Sequence, residues 1–187
     1  SRLVRVMGSQ AANSWVSEVL LEFEDAYRVT DAVAIAPYFG GYAGDPSEES
    51  RIATMTPEAL IADLRSRGLP EVQEWLSRQK QVADRFAVKL IAYEGGQHVV
   101  GVGNVVDNER ITALFAAANR HPDMKDLYLD YLKQWQKAGG GMLMQFVNTS
   151  GYSKWGNWGA REYLGQPLKD APKAEALQMF IETHPTE

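Results

Sequence analysis

The chain has no cysteine, which removes disulfides, thiolate metal sites and cysteine nucleophiles together. No apolar run approaches the ~20 residues a membrane-spanning helix needs, so no membrane partner is expected. Nor is there a charged start followed by an apolar core of the signal-peptide kind. The three histidines, His98, His121 and His184, lie far apart, and no group of His, Asp and Glu has ligand spacing, so no metal is expected. Positive charge is also short: 19 Lys and Arg stand against 24 Asp and Glu, a net −5 with no basic cluster. Nucleic acid, whose phosphates demand concentrated positive charge, is therefore not an expected partner. What is present is a globular composition, 45% hydrophobic over 187 residues, enough for one domain spanning 1–187 with a real core.

Four short apolar runs stand out: residues 3–7 (LVRVM), 32–36 (AVAIA), 88–93 (VKLIAY) and 142–147 (MLMQFV). Each has the length of a buried parallel strand, apolar on both faces, although Arg5 and Lys89 interrupt the pattern. Helical periodicity follows each. Trp15, Val16, Val19, Leu20 and Phe23 form one stripe that would lie against a sheet. Thr56-Pro57-Glu58 is a helix start with a hydroxyl cap and a first-turn proline, and Gly68 is expected to end that helix. Pro70 opens a helix carrying Val72, Trp75, Leu76, Val82, Ala83 and Phe86 on one face. Asp107 is placed as the cap of a helix with Ile111, Leu114, Phe115 and Ala118, and Pro122 interrupts it before Met124, Leu127, Tyr128, Tyr131, Leu132 and Trp135. Ala174, Leu177, Phe180 and Ile181 predict a closing amphipathic helix, and Trp15, Trp75 and Trp135 are read as core.

Strand and helix alternate four times, so the fold class is α/β with parallel pairing through right-handed crossovers. Two architectures fit: an open doubly wound sheet, and four βα units of a (β/α)8 barrel. No Gly-x-Gly-x-x-Gly follows the first strand, which argues against a dinucleotide, and no cofactor is expected. Gly101-Val102-Gly103-Asn104 reads as a loop, and Gly139-Gly140-Gly141 precedes its strand, where a phosphate loop would be misplaced.

Chemistry in parallel α/β folds gathers at the C-terminal ends of the strands. Those ends here carry Ser9-Gln10, then Pro37-Tyr38-Phe39-Gly40-Gly41-Tyr42, then Glu94-Gly95-Gly96-Gln97-His98, then Asn148-Thr149-Ser150 with Lys154, Trp155, Asn157 and Trp158. One carboxylate among amides, hydroxyls and rings is the mixture sugars require. Their hydroxyls bond amides and carboxylates, and their C–H faces pack on indole and phenol rings. A phosphate substrate would call for more cations than Lys154. Gln10, His98 and Asn148 are candidate hydroxyl partners, and Trp155 and Trp158 are candidate stacking rings. Gln145 is equally suited to a barrel interior. Asn148-Thr149-Ser150 matches the N-glycosylation pattern but is discounted at a buried strand end. Glu94 is the sharpest residue, because a carboxylate ending an apolar strand is costly unless paired or used. Its plain alternative is a bond to a nearby arginine or helix N-terminus.

The run Leu90-Ile91-Ala92-Tyr93-Glu94-Gly95-Gly96 resembles the seventh strand of the large clan of retaining glycoside hydrolases built on (β/α)8 barrels. Ile35-Ala36-Pro37-Tyr38 resembles the sixth, the strand leading to Trp155 and Trp158 the eighth, and residues 4–10 the fifth. The resemblance implies Glu94 as catalytic nucleophile, hydrogen-bonded by Tyr38, and a tryptophan flooring the sugar subsite; His98, four residues after the carboxylate, is placed to tune it or to bind substrate. The clan's acid/base, a Glu ending the fourth strand, has no counterpart in this chain. The expectation is thus the C-terminal half of a barrel, a piece of a retaining β-glycan hydrolase that is inactive alone. The expected partners are an oligo- or polysaccharide, and either the missing N-terminal half-barrel or a second half-barrel copy as a homodimer. Such hydrolases favour an extracellular or periplasmic location. A non-catalytic carbohydrate-binding protein on the same barrel is the alternative.

Overall fold

A computed structural model describes residues 3–184. One four-stranded sheet carries β1 (Val6–Gly8), β2 (Ala32–Ile35), β3 (Lys89–Gly95) and β4 (Leu143–Gln145) in the order β1-β2-β3-β4, all parallel. Seven α-helices fall among the described residues: α1 (Ser14–Glu22), α2 (Glu49–Ile52), α3 (Pro57–Asp63), α4 (Leu69–Arg85), α5 (Glu109–Arg120), α6 (Asp123–Lys137) and α7 (Pro172–Thr183). The expected α/β class with four βα units is what forms. β1, β2 and β4 are shorter than their apolar runs, β3 extends past its run to Gly95, and β1 begins only at Val6.

Sequence-adjacent strands pair in register, Val6 with Ala32 and Val33 with Leu90. Between the Ile35–Ala92 pair and the Phe39–Gln97 bridge, residues 93–96 stand opposite only residues 36–38. One extra residue is accommodated there, the signature of a bulge, and Glu94 lies inside it.

The chain divides into two compact units, the first made of Ser1–Pro37, Glu71–Gly95 and Lys133–Met144. In it, one sheet face buries Val33, Ile35, Leu90 and Ala92, none more than 2% exposed. Ser17 links the Ser9 hydroxyl to Gln79, whose amide donates to the carbonyls of Gln10 and Ala11 and pins the β1–α1 loop to α4. Arg85 of α4 pairs with Glu18 and Glu22 of α1. The second unit comprises Tyr38–Pro70, Gly96–Leu132 and Gln145–Glu187, with a core that includes Phe39, Leu60, Ile111, Phe115, Tyr128 and Tyr131.

Several helix details differ from expectation. Thr56 does cap α3, accepting from the Ala59 N–H, with Pro57 in the first turn. Gly68 does not stop the helix: residues Leu64–Gly68 form a π-turn that runs on into α4. The cap of α5 is Asn108, whose Oδ1 accepts from the Ile111 N–H 3.1 Å away, not Asp107. The α1 stripe does not lie against the sheet. Ser17 and Leu21 are its buried positions, and Trp15 is 64% exposed, so the reading of that tryptophan as core is overturned. Trp135 is buried as expected and Trp75 only half so. The closing helix buries Pro172, Lys173 and Ala176, while Ile181 is exposed.

Candidate functional site

The loops of the second unit bring four rings together. Tyr38 meets His98 at 5.6 Å and Trp158 at 5.8 Å between centroids, and His98 meets Trp158 at 5.0 Å. Phe146 extends the group, 5.9 Å from Trp158. All four contacts are edge-on, the geometry aromatic quadrupoles favour. Tyr38, His98 and Trp158 are each only half-buried, so the cluster has an open side.

Backbone bonds fix the first two rings. The Phe39 N–H donates to the Gly96 carbonyl at 3.0 Å, and the His98 N–H to the Phe39 carbonyl at 2.7 Å. Gln97 between them is buried and fully used. Its N–H donates to the Tyr128 hydroxyl, its amide N–H to the Asn157 carbonyl at 2.8 Å, and its Oε1 accepts from the Val99 N–H.

Trp158 is held from the other side. The Asn157 carbonyl just before it accepts a second bond, from the Lys173 Nζ at 2.5 Å. That lysine is completely buried, with its Nζ 4.7 Å above the Tyr152 ring. Burial drives its pKa well below the ordinary lysine value, only partly opposed by Glu162. The indole N–H of Trp158 donates to the Trp155 carbonyl at 3.0 Å, closing a tight loop. Gly156 sits in that loop at φ +131°, where a Cβ would lie 2.0 Å from the Trp158 Nε1. Only glycine fits there.

Unsatisfied polar atoms are found along these same segments. His98 Nδ1, Gln145 Oε1, Asn157 Oδ1 and Arg161 Nε are buried and without a hydrogen-bond partner. Buried polar groups are normally paired, so these four are exceptions. Burial pushes the His98 pKa below the ordinary histidine value, so the ring is neutral at pH 7 and its Nδ1 can donate or accept according to tautomer.

Glu94 belongs to the first unit. It ends β3 within the bulge, is half-buried, and makes no hydrogen bond or ion pair among the described residues. The plain alternative of an arginine or helix-end partner is therefore not what is found.

The remaining candidates separate. Gln10 is exposed and contributes its backbone carbonyl to Gln79. Asn148 is exposed, its carbonyl accepting from the Arg161 N–H. The burial used to discount its glycosylation pattern is thus absent. Trp155 is 69% exposed beneath the Lys154 ammonium, which pairs with Asp107 at 2.6 Å. It stands outside the ring contacts of Trp158. Sequence reasoning missed Gln97, Tyr128 and Lys173, because periodicity reads them as loop, core and surface. Among the described residues no group of His, Asp and Glu could hold a metal ion, and no helix is long and apolar enough to cross a membrane. Known family models, curated proteins and solved structures give no match to this chain.

Proposed function

We propose that this chain is the saccharide-binding, nucleophile-bearing part of a retaining glycoside hydrolase-like protein. The observation that carries the reading is the half-open Tyr38–His98–Trp158 cluster, in which His98 Nδ1 has no hydrogen-bond partner. Rings take the C–H face of a pyranose, and amide and imidazole atoms take its hydroxyls.

Glu94 is the nucleophile in this reading. Its unpaired carboxylate oxygen attacks C1 as the C1–O bond to the leaving group breaks, giving a glycosyl ester that water then hydrolyses. The leaving oxygen needs a proton from a second carboxyl ~5–5.5 Å away. Three acids of this chain are otherwise engaged: Asp45 caps a turn at Ser47, Glu48 pairs with Arg51 and Arg67, and Glu49 accepts from Asn104 and Asn108. Natural glycans are therefore bound and not cleaved by this chain alone. The same engagement favours a second reading, a purely carbohydrate-binding protein.

Titration with β-linked gluco-, manno- and xylo-oligosaccharides tests the binding. Trp158→Ala should weaken affinity by about tenfold or more, ~1.4 kcal/mol per decade, while Trp15→Ala leaves it unchanged. No binding across the panel refutes the proposal. The nucleophile is tested with 2-deoxy-2-fluoro glycosides bearing dinitrophenolate, a leaving group that needs no protonation. A covalent sugar on the Glu94 peptide, absent in Glu94→Gln, supports hydrolase ancestry. Binding without labelling assigns the chain to the second reading.

A further inference from the structure

The chain-order sheet leaves two edges without partners, and one face that is buried along β2 but open at the flanking strands. Right-handed crossovers between sequential parallel strands place every connecting helix on the same side. That side is the one burying Val33, Ile35, Leu90 and Ala92. On the other side Val6 and Tyr93 are each half exposed, while Ala32 and Ala34 between them are only 1% exposed. Among the described residues β1 pairs with β2 and β4 with β3, so each outer edge offers unpaired backbone groups. Neither strand carries the proline or lysine that usually blunts such edges.

Helix α1 shows the same one-sidedness. Ser17, Leu21, Glu18 and Glu22 face α4, and the opposite flank presents Trp15, Val19 and Phe23 to solvent. Taking ~200 Å² for an aromatic side chain, the exposed fractions of Trp15, Phe23 and Tyr93 give roughly 360 Å². Val4, Val6, Met142 and Met144, each at least half exposed, bring the area close to the ~800 Å² per partner of a standard interface.

We propose that a second copy of this chain covers this surface, closing an eight-stranded parallel barrel about a two-fold axis along the strands. The occupant must offer parallel strands to both edges and an apolar face to the interior. A two-fold axis along the strands preserves their direction, so β1 meets the partner's β4 and β4 meets the partner's β1. The interface is isologous and closed. Four strands from each copy make the eight whose interior side chains can fill.

Sedimentation of the full chain should show a two-chain species. Phe23→Lys and Val6→Glu, both at exposed positions, should shift it to one chain with the far-UV spectrum unchanged. The chain has no cysteine of its own, so a Val6→Cys, Met144→Cys variant with a short bis-maleimide should give a covalent product of two chains and nothing larger. A one-chain species at every concentration overturns the inference and assigns the open face to a different protein segment. A ladder of cross-linked products overturns it too, since it reports open-ended association. Saccharide binding is read separately, so either proposal can fail alone.

Discussion

His98 meets Trp158 edge-on with ring centroids 5.0 Å apart, and its Nδ1 is buried without a partner. Burial lowers the pKa of this histidine below its ordinary 6.5. The neutral form is thus favoured in the folded chain, and stability is complete above the unfolded value. It declines as the pH falls from about 6.5 through the lower folded value. Thermal melts of wild type and His98→Phe between pH 8 and pH 5 should diverge in slope only in the acidic part of that window. Saccharide affinity should fall there too, because an imidazolium beside Trp158 loses its acceptor.

Gly156 is the strictest local requirement of the Trp158 loop. Alanine there would place its Cβ 2.0 Å from the indole nitrogen at a φ of +131°. Gly156→Ala should cost roughly 1–3 kcal/mol, the range for a strained backbone position, and move the Trp158 emission spectrum. Gly151→Ala, whose Cβ would meet nothing closer than 4.0 Å, is the matched control and should leave both readouts unchanged.

Much of the architecture was legible in residue order alone. Apolar runs 32–36 and 88–93 mark β2 and β3 because strands buried on a face must be apolar, and Thr56-Pro57 marks a helix start because both residues satisfy its first turn. The α1 stripe misled because periodicity reports that a face is apolar and not what covers it. Trp15, Val19 and Phe23 have the right spacing and remain in solvent. The site was legible in part: Tyr38, His98 and Trp158 meet, while Trp155 and Asn148 face solvent. The supports of the cluster were not legible. A one-residue bulge at Glu94 depends on the register of two distant segments, and a lysine buried on a helix breaks the rule that lysines face water.

Tyr128 supports the loop carrying His98 through one bond, its hydroxyl accepting from the Gln97 N–H at 3.0 Å. The ring is fully buried, and burial raises its pKa, so the phenol stays neutral over the whole working range. Tyr128→Phe keeps the edge-on contact with Phe39 at 5.7 Å but strands a buried N–H. The expected loss is about 1–3 kcal/mol, seen in chemical denaturation, together with faster amide exchange at Gln97. An unchanged exchange rate would mean that water replaces the hydroxyl.

Lys173 yields the prediction with the clearest sign. Its amine is fully buried, donating to the Asn157 carbonyl that also receives the Gln97 amide. Because burial depresses its pKa far below 10.5, the folded chain releases this proton before the unfolded chain does. Its contribution to stability is complete above pH 10.5 and is lost as the pH falls toward the depressed value. Between pH 7 and pH 10 the wild-type melting temperature should therefore carry a rising component that Lys173→Met removes. Methionine keeps most of the volume and leaves the Asn157 carbonyl its bond from Gln97, so the variant should fold. With one of the two donors behind Trp158 gone, its saccharide affinity should fall several-fold even where its stability matches or exceeds that of the parent. Unaltered affinity would assign Lys173 to packing alone, and an unaltered pH slope would place its ammonium in contact with water.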